Sequence, residues 1–164
     1  MKIALSTDHA GLDQLTALQA FLEQQGHECA NYGPKAFDAN DDYPDYIFPA
    51  AHAVASGEYE VAIIMGGSGQ GEAMAANRVK GVRAAVYYGP ATPAGAIDAK
   101  GGAASDEFEI LRLSRQHNNA NVLSLAARFL DQQAIRAAVT LWLETAFTGE
   151  ERHARRIRKL DEAE

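Results

Sequence analysis

Short apolar runs, each closed by glycine or polar residues, recur along this chain. They are "KIALS" (2–6), "HECANYG" (27–33), "EVAIIM" (60–65), "VRAAVYY" (82–88) and "ANVLSLA" (120–126). Runs of this length and flanking read as buried strands. Between the first two, Leu12, Leu15, Leu18, Phe21 and Leu22 repeat at three- and four-residue spacing. That spacing predicts a helix over 11–25, which Gly26 stops. Further helices are expected over about 45–56, 71–78, 131–146 and 150–162, with Asp131 and Thr148 as N-caps. Strands alternating with helices imply a parallel sheet covered on both faces and joined by right-handed crossovers. Ligands of such sheets sit beyond the carboxyl ends of the strands. Three stretches therefore become candidates before any chemistry is considered: "STDHAG", "GGSGQGE" and "RQHNNAN".

Composition narrows the class. The chain has 164 residues, the size of one domain, and 47% are hydrophobic, enough for a sizeable core. No apolar run approaches the roughly 20 residues that span a bilayer. The N-terminus lacks the apolar core of a signal peptide, so a cytoplasmic location is expected. The lone Cys29 excludes an internal disulfide and a cysteine-cluster metal site, and reads as an inert buried thiol. A net charge of −7 argues against nucleic acid as a partner. The charge is uneven: "RHARRIRK" (152–159) holds five of the fifteen Lys and Arg residues. Such a stretch is either a solvated helix face or an anion site.

The glycine loop has two readings. Glycines let a backbone turn sharply and bring N–H groups near an oxyanion. The spacing matches neither a Walker A loop nor the G-x-G-x-x-G dinucleotide pattern. A tight turn with Glu72 as a favourable first-turn acid fits equally well. Asp8 is either a helix cap or a functional acid next to His9. His117 and its neighbouring asparagines form either a polar loop or a binding loop. Asn77 is either a C-cap or a ligand, and Tyr43 either a surface aromatic or part of a site.

Taken together, "IALSTDHAG", "DYPDY", "GGSGQGEAMAANRVKGVRAAV", "LSRQHNNANVLSLAARFL" and "ERHARRIRKL" resemble the family of ribose-5-phosphate isomerase B and the galactose-6-phosphate isomerase subunits. The motifs occur in order and cover most of the chain. The resemblance implies a three-layer α/β/α sandwich around a five-stranded parallel, Rossmann-like sheet, formed by one domain over 1–164. It also implies a homodimer, often paired into a tetramer, with active sites at the subunit interface. No metal or cofactor is implied, and the partner is a phosphorylated sugar.

The implied chemistry interconverts an aldose phosphate and a ketose phosphate through an enediolate. One family branch uses a cysteine base in the glycine loop, at a position matching Gly66 or Gly67 here. Another uses a glutamate at the loop's end, which matches Glu72. The resemblance thus makes Glu72 the base and places the amides of Gly67, Ser68, Gly69, Gln70 and Gly71 around the enediolate. It makes His117 the ring-opening acid and Asp8 the partner of the anomeric hydroxyl. Asn118 and Asn77 would orient sugar hydroxyls or the loop, and Tyr43 would pack on the sugar. His9, Arg128, Arg152 and Arg156 would hold the phosphate, with His153 beside them. The stretch over about 89–105 departs from the family pattern as an insertion, read as a surface loop, a lid or an interface segment. The expected substrate pair is ribose 5-phosphate and ribulose 5-phosphate. The alternatives are another sugar phosphate (a hexose or tetrose phosphate) and phosphosugar binding without turnover.

Overall fold

All five expected strands form in the computed structural model, which describes residues 1–98 and 101–162. They are β1 (Lys2–Thr7), β2 (Glu28–Asn31), β3 (Val61–Gly66), β4 (Ala84–Tyr87) and β5 (Val122–Ala126). They pair in parallel in the order β2-β1-β3-β5-β4. The helices are α1 (Leu12–Gln24), α2 (Tyr43–Ala55), α3 (Gln70–Ala76), α4 (Glu109–Gln116), α5 (Gln132–Glu144) and α6 (Glu151–Asp161).

Alternation along each strand divides the core into two layers. Ile3, Leu5, Val61, Ile63, Met65, Leu123 and Leu125 face α1, α4 and α5, where Leu15, Leu18, Leu111, Ile135 and Trp142 complete the packing. Ala4, Ala62, Ile64 and Val122 face α2 and α3, against Ile47, Ala50, Val54, Ala75 and Ala76. Smaller residues on this second face let α2 and α3 approach the sheet closely. The result is a three-layer α/β/α sandwich. No helix among the described residues is long and apolar enough to cross a membrane.

Gly26 takes a left-handed φ of 83° just beyond α1, and Asp131 caps α5 by accepting from the Ala134 N–H at 2.8 Å. Thr148 does not cap α6. The N-cap is Glu150, and the Thr148 hydroxyl instead donates to the Gln116 carbonyl at 2.9 Å, tying α6's approach to the end of α4. Helix α4 is absent from the sequence reading. It is eight residues long, with only Glu109 and Leu111 buried, so its apolar period is too short to stand out. Cys29 is half-buried rather than buried, and that cover lifts its thiol to about 11, which leaves it protonated and inert.

The stretch over 89–105 is irregular, and its residues 99–100 lie outside the described residues. Its ends are fastened where Ala91 N–H donates to Glu107 O at 2.9 Å and Ser105 Oγ donates to the buried Glu109 carboxylate at 2.8 Å.

Gly69 turns the chain from β3 into α3 at φ 73°, and a Cβ there would lie 3.0 Å from both the carbonyl carbon and oxygen of Leu125. Gly26 has the same handedness with open space around it. Gly26→Ala should therefore lower the melting temperature by roughly 2–4 °C, the cost of the left-handed φ alone. Gly69→Ala should lower it at least twice as far, because backbone must also shift. Equal losses in thermal denaturation would remove the crowding at Gly69.

Candidate active site

The carboxyl ends of β1, β3 and β5 bring one group of residues together. β3 ends at Gly66, and Glu72 in the first turn of α3 folds back over it. A Cβ on Gly66 would sit 1.9 Å from Glu72 Oε1, so the carboxylate occupies the volume that any side chain at 66 would claim. Glu72 is 5% exposed. Burial raises its pKa above the ordinary carboxylate value, the negative charge of Asp8 adds to the rise, and its own backbone N–H opposes it. A buried carboxyl that makes no ion pair among the described residues is unusual in a stable core, which makes Glu72 a candidate functional group.

The loop beneath Glu72 is fixed from β5. Ser124 Oγ donates to Gly69 O at 2.6 Å, Ala127 N–H to Gly66 O at 2.9 Å and Arg128 N–H to Gly67 O at 3.2 Å. The Arg128 side chain crosses Gly67, whose added Cβ would lie 3.4 Å from Nε. Ser68 Oγ accepts from Gln70 N–H at 3.4 Å. Tyr43, the first residue of α2, lays its ring on Gly71, where a Cβ would meet Cζ at 2.9 Å. Both Gly66 and Gly71 are therefore required by close approach, each to a different functional side chain.

At the end of β1, Asp8 caps the 3₁₀ turn His9–Gly11 by accepting from Ala10 N–H at 2.9 Å. Asp8 is thus both a cap and a neighbour of Glu72. His9 is held by a residue absent from the sequence reading. The Asp41 carboxylate accepts from His9 N–H at 3.1 Å and lies 2.6 Å from His9 Nδ1. That bond raises the imidazole pKa, with Asp8 adding to it and with burial and Arg128 opposing. No sequence signal marks Asp41, because it is one of several acids in a polar loop. Asp8, His9 and Asp41 bring one potential metal-ligand atom each within 4.8 Å of one another. Asp41 is already committed to His9, so the trio is arranged as an imidazole with its acid partner.

His117, Asn118, Arg152, His153 and Arg156 belong elsewhere. His117 is the C-cap of α4 and precedes β5, so it stands at the amino end of the strand whose carboxyl end leads to Arg128. One strand length, on the order of 15 Å, separates these ends. The His117 ring stacks on His153 of α6, with centroids 4.1 Å apart and planes 13° from parallel. Arg152 and Arg156 lie one turn apart on the same helix. Arg152 Nε is 2.9 Å from Glu150 Oε2, and Arg156 is exposed.

The asparagines divide by role. Asn119 adopts a left-handed φ of 44° in the turn after α4. Asn121 accepts from Arg83 N–H at 2.7 Å and donates to Gly81 O at 2.9 Å. Asn118 is exposed, and its amide makes only a 3.5 Å bond to Leu113 O. Asn77 ends α3, and its amide is committed to β4, donating to Ala84 O at 3.0 Å and accepting from Ala84 N–H at 2.8 Å. Its task is to hold α3 against the sheet.

The arrangement has close counterparts. The profile of a family described as Ribose/Galactose Isomerase matches residues 3–101 and 99–160. Ribose-5-phosphate isomerase B of Mycolicibacterium paratuberculosis is 33% identical over all 164 residues, covering 92% of that protein. The probable ribose-5-phosphate isomerase B of Mycoplasma genitalium is 36% identical over 159 residues, 96% of this chain and 92% of the relative. The crystal structure of the Mycoplasma genitalium enzyme with bound ribulose-5-phosphate superposes with a TM-score of 0.83 at 35% identity, covering 98% of this chain and 93% of that one. The type B ribose 5-phosphate isomerase of Trypanosoma brucei gives a TM-score of 0.84 at 32% identity, covering 99% and 98%. A family profile matched over nearly the whole chain, with relatives more than 30% identical along its length, places this chain in the ribose/galactose isomerase family.

Proposed function

We propose that this chain is an aldose–ketose isomerase that interconverts ribose 5-phosphate and ribulose 5-phosphate. The observation that carries the reading is the Glu72 carboxyl, buried against the bare backbone of Gly66, in a chain matched end to end by isomerases of this type. In this mechanism Glu72 removes the C2 proton of the open-chain aldose. The electron pair enters the C1–C2 bond, and the aldehyde oxygen takes the negative charge. A proton passes from the C2 hydroxyl to the C1 oxygen, and Glu72 returns its own proton to C1. A carboxyl with a raised pKa suits both halves, because it is a stronger base on the way out and still an acid on the way back. The amides of Gly67 to Gly71, with the Ser68 hydroxyl, hold the enediolate oxygens.

Asp8 engages the anomeric hydroxyl, His117 protonates the ring oxygen, Tyr43 packs on the sugar and Asn118 orients a hydroxyl. His9 and Arg128 meet the phosphate from one side, Arg152 and Arg156 from the other. These groups lie at opposite ends of one chain's sheet, so one site takes Asp8, His9, Glu72 and Arg128 from one copy and His117, Arg152 and Arg156 from a second. A symmetric pair then carries two such sites. Met74 and Phe129, 67% and 72% exposed beside the glycine loop and Arg128, supply apolar surface for that contact. The homodimer is the minimal active unit, and the enzyme works in the cytoplasm.

Glu72→Gln should lower isomerisation by about 10³-fold and abolish exchange of the C2 proton with solvent, while phosphosugar binding persists. Near wild-type turnover in that variant would remove Glu72 as the base. The same change should raise the melting temperature at pH 7 by about 3 °C. Folding raises this carboxyl's pKa, so stability falls as pH climbs above 4.5 through the folded value and stays lower at neutral pH. The advantage of the glutamine variant should therefore fade toward pH 4.

Asp41→Asn removes the negative charge that raises the His9 pKa. At pH 7 to 8 the KM for the phosphosugar should rise about three- to tenfold with kcat nearly unchanged, and the gap should close below pH 6 as His9 gains its proton unaided.

Mixing Glu72→Gln with His117→Ala tests the shared site. After subunit exchange, half the dimers are hybrids with one intact site each, so about a quarter of wild-type activity should return. No recovery despite proven hybrid formation would place all groups within one chain.

A further inference from the structure

His153 raises a question that phosphate binding does not answer. Its side chain is 4% exposed, and its Nε2 has no hydrogen-bond partner among the described residues. A buried polar atom without a partner weakens a fold, and an apolar ring would fill the same space better. The surroundings are also poor for a cation. Burial first, then His117, Arg152 and Arg156, lower the pKa of this imidazole, and Glu150 alone opposes them. A neutral ring sunk under helix α6 is a weak anion ligand. It does make one intimate contact, the parallel stack on His117 at 4.1 Å.

The geometry assigns His153 as the positioning residue for His117. The flat face of the His153 imidazole fixes the plane of the half-buried His117 ring. His153 also lies on the same helix as Arg152 and Arg156. The stack therefore joins the ring-opening acid to the phosphate anchors as one unit, with the Thr148–Gln116 bond fastening α6 to α4 on the other side. A phosphate seated on α6 then sets the distance from the sugar ring oxygen to the His117 proton.

This inference rests on His117 being the ring-opening acid, and the test separates the two ideas. Ribose 5-phosphate is presented mainly as a closed furanose. Ribulose 5-phosphate cannot form that ring, because its O5 carries the phosphate. Ring opening is therefore needed from the aldose side only. Two rates are measured: isomerisation of ribose 5-phosphate, and exchange of the C1 proton of ribulose 5-phosphate with deuterated solvent. His153→Leu keeps the volume but loses the flat face. It should lower the first rate about tenfold and leave the second within about twofold. His153→Phe keeps the stack and drops the unpartnered nitrogen. It should recover isomerisation to within about threefold of wild type and melt no lower than wild type. Equal losses of both rates in His153→Leu would mean that His153 only supports the fold, and failure of His153→Phe to recover activity would mean that stacking is not its task. His117→Ala serves as the reference. If it shows no split between the two rates, the ring-opening assignment falls and takes this inference with it. If it shows the split and His153→Leu does not, only this inference falls.

Discussion

A carboxylate lying on bare backbone is the constraint from which the site follows. Glu72 can be buried at the end of β3 only because residue 66 has no side chain, and the two cannot both claim that volume. In the resembling branch that uses cysteine, the base comes from the loop itself, at a position matching Gly66 or Gly67. Here the strand end is stripped bare, and the first turn of the next helix supplies a carboxyl in its place, the base proposed above. Burial raises the pKa of Glu72 and so makes it a stronger base than a surface carboxylate, at a cost in stability that the rest of the fold absorbs.

That cost is met by rigidity in the neighbouring strands. The loop beneath Glu72 is pinned by three bonds from β5 and its neighbours, and Tyr43 closes over Gly71 from α2. None of these contacts touches the reacting carbons. They fix the loop amides, so that in the proposed reaction little reorganisation is needed when negative charge develops. Asp41 does the same for His9, and the His117–His153 stack brings the pattern to the far end of the sheet. His9 and His117 each have a partner that sets the direction of the ring.

A parallel sheet supplies only one set of carboxyl ends, and the proposed site residues are split between those ends and the opposite ones. His117 and Glu72 flank different ends of the same two neighbouring strands, β5 and β3. A site that uses both groups, as proposed above, takes them from two copies of the chain.

Much of the molecule was legible in the residues alone. Strand runs bounded by glycine, the three-and-four spacing of α1 and the Asp131 cap are local signals, and local signals decide elements. The five strands, five of the six helices and the carboxyl-end location of Asp8 and Glu72 follow from them, whereas "RQHNNAN", expected at those ends too, lies at the amino end of β5 because it precedes that strand. Helix α4 escaped because eight residues with two buried positions carry too little period, and Thr148 misled because its hydroxyl found a distant carbonyl rather than the helix it precedes. Packing decided the rest. No spacing rule says that Glu72 lies on Gly66, that an acid 32 residues away holds His9, that Asn77 serves β4, or that His153 turns inward onto His117. Those are meetings of residues far apart in sequence, and only the folded arrangement of sheet and helices brings them into contact.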